Sequence, residues 1–243
     1  GHNGGIISYM AKGKQYVAMA QIHEENGHKM QPAWEYHTRD ANQRSTMHAN
    51  PIVVNGVMYI TTPALKAVAL DAATGRQIWR YQRPQKARNP NEINPFNRGV
   101  AVLGPRLFVG TLDATLVALD IRTGLPLWEV QMADTMQGYS TPSPPLPIKD
   151  RIIAGIAGGE FGTRGFVDAY DAATGRRLWR FNTIPGPGEF GHESWQGDSW
   201  QLGCGATWMP GSYDADLDLV YWAVGNPCPL YDGRARQGAN PFT

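Results

Sequence analysis

Three times the chain writes nearly the same phrase: A-L-D-A-A-T-G-R-Q-I-W over 69–79, A-L-D-I-R-T-G-L-P-L-W over 118–128 and A-Y-D-A-A-T-G-R-R-L-W over 169–179. Trp34, in Trp34-Glu35-Tyr36, stands one interval earlier, so Trp34, Trp79, Trp128 and Trp179 recur at about 50 residues, and each is expected to open a short strand. Upstream of each phrase lies a pair of β-rich runs: 51–54 with 57–61, 100–103 with 106–110, and 147–149 with 151–156. About four short strands per unit at this period is the pattern of a β-propeller, one blade per repeat. In each phrase the Asp-x-x-Thr-Gly element reads as a tight turn, with Asp or Thr bonding local backbone and Gly in the left-handed region. The tryptophan that follows is placed to pack its ring against the neighbouring blade. No stretch of helical periodicity competes. The fold class is therefore all-β, a propeller with tryptophan-docking repeats over about four blades.

Composition narrows the function classes. Net charge is +1, with Lys and Arg scattered, which argues against a nucleic-acid face or a polybasic membrane anchor. The 28 glycines and 18 prolines fall between apolar runs, as in a turn-rich β protein. Two cysteines, Cys204 and Cys228, fit neither a zinc ligand set nor a disulfide framework, and spacing leaves open whether they pair. No apolar run reaches the ~18 residues of a membrane span, and no signal peptide is seen. The first residue is Gly1 rather than Met, which fits a mature form or an excised piece.

Between the repeats lie segments of other character. Residues 6–20 read as two β segments joined at Lys12-Gly13, a hairpin signal, and 21–30 as a solvated polar connector holding His23 and His28. Residues 82–97 form a polar, Pro/Asn-rich insertion ending at Arg98-Gly99, and 183–207 a second insertion with Trp195 and Trp200. Long loops on a rigid scaffold are where binding groups gather. Residues 155–170, G-I-A-G-G-E-F-G-T-R-G-F-V-D-A-Y, set one carboxylate, Glu160, in a glycine-dense turn between two apolar runs. Spacing alone leaves two readings of it: a turn with a solvated glutamate, or a carboxylate facing a ligand or metal. Residues 212–226 begin a further blade.

The docking phrase, with G-G-E-F-G-T-R-G, W-Q-G-D-S-W-Q-L-G-C-G-A-T-W and V-G-N-P, resembles the quinoprotein alcohol dehydrogenase family over residues 31–243. Those enzymes are eight-bladed propellers holding pyrroloquinoline quinone (PQQ) and a divalent metal on the axis. The resemblance implies Glu160 and Asn226 as metal ligands, Trp208 as the floor beneath the quinone and Arg98 at its reactive edge. It places Gly158 and Gly159 where backbone lies close to the cofactor. The chemistry is coherent: Ca²⁺ or another hard cation takes carboxylate and amide oxygens, a flat tricyclic ring takes an aromatic surface, and an anionic quinone takes an arginine. Further expectations are an alcohol or sugar substrate, an electron acceptor such as a cytochrome c or quinone, and a periplasmic location.

Departures from the family pattern are visible too. Pro142 and Ala157 stand where threonine and serine often contact the quinone, though Ser140 and Thr141 are close by. Glu92-Ile93 replaces a vicinal cysteine pair. The family's catalytic aspartate lies well beyond G-N-P, so no residue up to Thr243 is assigned as catalytic. Residues 1–20 resemble the family's last blade and 31–243 its first ones, the whole being one partial propeller domain. The alternative reading is a non-catalytic propeller of the same repeat type that binds proteins through its loops.

Overall fold

The computed structural model describes residues 6–11, 14–19, 32–43, 46–84, 89, 95–230, 232 and 234. Glu92-Ile93, His23, His28 and the Lys12-Gly13 turn lie outside the described residues. Three four-stranded antiparallel sheets follow one another. The first contains β3 (Ile52–Val54), β4 (Val57–Thr61), β5 (Ala67–Asp71) and β6 (Gln77–Tyr81). The second contains β7 (Ala101–Leu103), β8 (Arg106–Gly110), β9 (Thr115–Asp120) and β10 (Pro126–Gln131). The third contains β11 (Leu146–Ile148), β12 (Arg151–Gly155), β13 (Phe166–Asp171) and β14 (Arg177–Asn182). Within each sheet, spatial order equals chain order. The hairpin β1 (Ile6–Ala11) with β2 (Lys14–Met19) precedes them, and β15 (Ser212–Asp214) with β16 (Leu219–Tyr221) opens a further unit.

The third strand of each sheet is buried along both faces, as one expects where a neighbouring sheet covers each side. Alternate residues face opposite neighbours. Tyr59, Ala67, Ala69 and Trp79 pack with Leu107, Val109, Val117 and Leu119 between the first two sheets. Phe108, Leu116 and Ala118 pack with Ile152, Ala154, Phe166 and Tyr170 between the second and third. The alanines let the sheets approach closely, and the aromatic rings fill what remains.

The repeated turn is built as its residues suggest. Asp71 Oδ1 accepts hydrogen bonds from the Ala73 and Thr74 N–H groups (3.1 and 2.8 Å) and from the Thr74 hydroxyl (2.7 Å). Asp120 and Asp171 do the same with Thr123 and Thr174. Gly75, Gly124 and Gly175 follow at φ 72°, 72° and 75°. A tryptophan one repeat back lies flat on each glycine and donates its indole N–H to a nearby carbonyl: Trp34 to Ala72 (3.1 Å), Trp79 to Ile121 (3.0 Å) and Trp128 to Ala172 (3.2 Å). A Cβ on these glycines would stand 2.4–2.7 Å from the ring. Glycine thus serves twice, for positive φ and for the docked ring.

Two of the four tryptophans depart from the expected pattern. Trp34 docks but is not in a strand, because among the described residues no strand pairs with 34–36. Trp179 sits in β14 yet is 42% exposed, since no Asp-x-x-Thr-Gly turn faces it among the described residues. The turn that joins β15 to β16 is Ala215-Asp216-Leu217-Asp218, without threonine and glycine. Among the described residues no helix is long and apolar enough to cross a membrane.

Candidate cation and cofactor site

The short segments that lead into the first strands of successive sheets are bonded to one another in series. The Asn50 N–H donates to the Arg98 carbonyl (3.2 Å) and the Arg98 N–H to the Pro142 carbonyl (2.8 Å). The buried Ser143 hydroxyl donates to the Trp208 carbonyl. Arg98, Pro142 and Trp208 therefore stand at corresponding places, each ahead of the first strand of its sheet. Thr207 fixes the last of these segments: its hydroxyl accepts from the Ile156 N–H (2.8 Å) and donates to the Phe166 carbonyl (2.5 Å). Gly155, at the end of β12, permits this contact, because a Cβ there would meet the Thr207 carbonyl oxygen at 2.1 Å.

Glu160 is carried by a single 3₁₀ turn, Gly159–Phe161, between β12 and β13. Gly158 enters it at φ 123°, with the Gly138 carbonyl oxygen 2.6 Å from where a Cβ would be, and Gly162 leaves it at φ 72°. Only residues without a Cβ fit at the entry, so the turn presents Glu160 to solvent. No hydrogen bond or ion pair holds its carboxylate among the described residues.

Asn226 comes from beyond β16. The segment 204–207 lies between the Glu160 turn and this stretch. On one side the Gly165 N–H donates to the Cys204 carbonyl (2.6 Å). On the other, the Gly205 N–H donates to the Asn226 carbonyl (3.0 Å) and the Gly225 N–H to the Ala206 carbonyl (2.8 Å). Cys204 and Cys228, whose pairing the sequence leaves open, form a disulfide with Cα atoms 5.2 Å apart. As a result Glu160, Asn226 and Trp208, with Gly159, Ala206, Gly225 and Leu230, line one hollow of about 270 Å³.

Arg98 approaches from the other side of Trp208. Its guanidinium carbon lies 4.7 Å from the centre of the Trp208 ring and 4.5 Å from that of Phe96, which itself stacks on His48 at 4.7 Å. Burial pushes the Arg98 guanidinium down from its ordinary value, although an arginine so far above neutrality stays charged. Its Nη1 is buried without a hydrogen-bond partner among the described residues. A buried cationic donor with an unused N–H is costly unless an acceptor arrives, which suits an anionic ligand. Arg98 lines a second, apolar hollow with Ile52, Val100 and Pro144 rather than the one holding Glu160, and Gly158 lies behind the turn, outside both.

The donor set fits a hard cation only in part. Glu160 and Asn226 offer oxygens, and among the described residues no group of three His, Cys, Asp or Glu forms a protein cage. An ion of six to eight ligands would complete its shell with oxygens from a bound molecule or water. Of the hydroxyls near the expected quinone contacts, Thr141 is committed to the Gly155 carbonyl (3.1 Å), while Ser140 pairs with Ala157 through backbone bonds. Sequence reasoning missed Ser143, Thr207 and the role of the cysteines. The hydroxyls sit in T-P-S-P-P and G-A-T-W runs where nothing local signals a partner.

The family model described as the glucose/ethanol/alcohol dehydrogenase β-propeller domain (PQQ) matches residues 7–243. The quinoprotein alcohol dehydrogenase PedH of Pseudomonas putida is 35% identical over 96% of this chain and 41% of its own length. The lanthanide-dependent methanol dehydrogenase of Methylorubrum extorquens is 34% identical over 94% of this chain and 41% of its own. Among solved structures, a quinohemoprotein alcohol dehydrogenase ADHIIG from Pseudomonas putida superposes with TM-score 0.75 and 36% identity, over 87% of this chain and 33% of that one. A europium-containing methanol dehydrogenase gives TM-score 0.75 and 33% identity, over 87% of this chain and 40% of that one. The chain thus spans about two-fifths of the length of these curated relatives.

Proposed function

The chain belongs to this PQQ-dependent glucose/ethanol/alcohol dehydrogenase β-propeller family, and from that premise we propose that it carries the cofactor-holding part of a dehydrogenase that oxidises an alcohol or sugar. Membership with these relatives favours the dehydrogenase over the protein-binding scaffold. The observation that carries the proposal is the single hollow joining Glu160, Asn226 and Trp208.

In this reading the Glu160 carboxylate and the Asn226 amide oxygen hold Ca²⁺ or a lanthanide, both hard cations that favour oxygen donors. Trp208 offers an aromatic face to a flat ring, and Gly159 lets it approach the backbone. Arg98 lies against the same indole from the neighbouring hollow, and its planar fork suits an anionic edge of the ligand. When bound, PQQ supplies the hydride acceptor. This chain's residues bind and orient the cofactor, and none is assigned the substrate's proton. The β1–β2 hairpin is assigned to the family's closing blade. A cytochrome c or quinone takes the electrons, and the disulfide suits an oxidising compartment such as the periplasm.

The test is titration of the chain with PQQ and Ca²⁺, read by tryptophan quenching and by calorimetry. Saturable binding is expected, lost in Trp208→Ala and weakened in Glu160→Gln. Binding that ignores both substitutions would refute the assignment.

A further inference from the structure

We propose that the Cys204–Cys228 disulfide is a positioning element of the cation site, holding Asn226 in place opposite Glu160; this rests on the reading of that site given above. The bridge lies behind the wall of the hollow. Cys204 is 1% exposed, and the Gly159 carbonyl oxygen stands 2.6 Å from Cys204 Sγ and 3.4 Å from Cys228 Sγ. A disulfide sulfur carries no proton, so these are packing contacts, made with the residue that immediately precedes Glu160. On the opposite side, Cys204 pairs with Pro227 across an antiparallel bridge, and the Cys228 N–H donates to the Gly203 carbonyl at 2.9 Å. One covalent link therefore abuts the turn bearing Glu160 and anchors the stretch bearing Asn226.

The backbone gives an independent sign. Cys204 has φ 64°, in the left-handed region that favours glycine, and lies between Gly203 and Gly205. Glycine would be the easier residue at 204. What cysteine adds is the sulfur, and the sulfur is directed at the site. Asn226 is exposed and lies in no regular strand; the backbone bonds of Gly225 and Asn226 to the 204–207 segment hold it on one side, and the disulfide at Cys228 anchors the chain two residues on. Groups that orient metal ligands without touching the metal commonly govern affinity.

The experiment uses the 243-residue chain with Tb³⁺ as a hard-cation probe, excited through tryptophan and checked by calorimetry. The variant is Cys204→Gly/Cys228→Ala, in which glycine suits the φ and alanine leaves little void. Tb³⁺ affinity is expected to fall about 10- to 100-fold, with the circular dichroism spectrum unchanged. A purely structural staple would lower the melting temperature of the cation-free chain and leave Tb³⁺ affinity where it was; that result overturns the proposal. A second arm treats the native chain with a dithiol, which closes to its own disulfide as Cys204 and Cys228 take up two electrons and two protons. After removal of the reagent, Tb³⁺ affinity should drop likewise and return on reoxidation, and no change on reduction overturns the proposal even if the double variant misfolds. Glu160→Gln with the disulfide intact separates the two readings. If it leaves Tb³⁺ binding untouched, the cation site itself is wrong.

Discussion

Each Asp-x-x-Thr-Gly turn gathers three donors on one carboxylate oxygen, and the hydroxyl of Thr74, Thr123 or Thr174, followed by the backbone N–H groups, holds Asp71, Asp120 and Asp171 below the ordinary aspartate range. A depressed folded-state value means the stabilisation is fully present above the unfolded-state value and is lost as pH falls through the folded one. Melting temperature should thus decline below about pH 4, and Asp71→Asn should flatten part of that decline while lowering stability at neutral pH. Trp79, 8% exposed and seated on Gly124, gives a sharper test. Trp79→Ala should cost ~3–5 kcal/mol in urea unfolding. Buried Asp168 is bonded by Arg180 Nε and Nη2, both at 2.7 Å, and by the Tyr170 hydroxyl at 2.6 Å. Arg180→Met would strip the buried charge of its hydrogen-bonded counter-ion and leave only Arg177, 4.0 Å away, which is why a loss of ~3 kcal/mol is expected there too.

Among elements, neighbouring sheets are linked by the bonded segments ahead of their first strands as well as by the tryptophans docked from their last strands. The glycine ending β12 shows how tight the junction is: Gly155→Ala forces the Thr207 carbonyl aside. Overpacking of this kind costs ~1–3 kcal/mol, and Trp208, the next residue, should lose its place. Weakened PQQ quenching by Gly155→Ala, with Glu160 and Asn226 intact, is the expected readout. The disulfide closes the 204–228 segment, and a loop of that size is worth ~3 kcal/mol when the unfolded chain is constrained by it. That stability contribution is separate from the effect on cation affinity proposed above, and the two are measured separately.

For the molecule as a whole, each sheet is stabilised by the sheets flanking it, so the outermost surfaces differ from the interior ones. Trp79 and Trp179 are equivalent residues two repeats apart, yet one is buried on Gly124 and the other is 42% exposed beside Phe181, 47% exposed. Acrylamide quenching should report this: Trp179→Phe removes more of the quenchable emission than Trp79→Phe does. Equal losses would mean that the Trp179 face is covered in solution. Leu219, Val220 and Tyr221 of β16 are exposed likewise.

The sequence by itself determined the propeller, its repeat length and the turns; that each tryptophan ring seats on the glycine of the next turn came from the fold. Asp, Thr and Gly bond within four residues of one another, and strand alternation is written in every second residue, so neighbours in the chain settle them. It also pointed to Glu160, Trp208 and Asn226 one at a time, through motifs. Only the tertiary structure decided that these three line one hollow, that the Arg98 guanidinium lies against both Trp208 and Phe96, and that Cys204 meets Cys228 behind Gly159. It also decided that Trp34 needs no strand and that Trp179 stands uncovered. Such contacts join segments from different sheets, and their distances depend on the twist and spacing of everything packed between them, which no local pattern encodes.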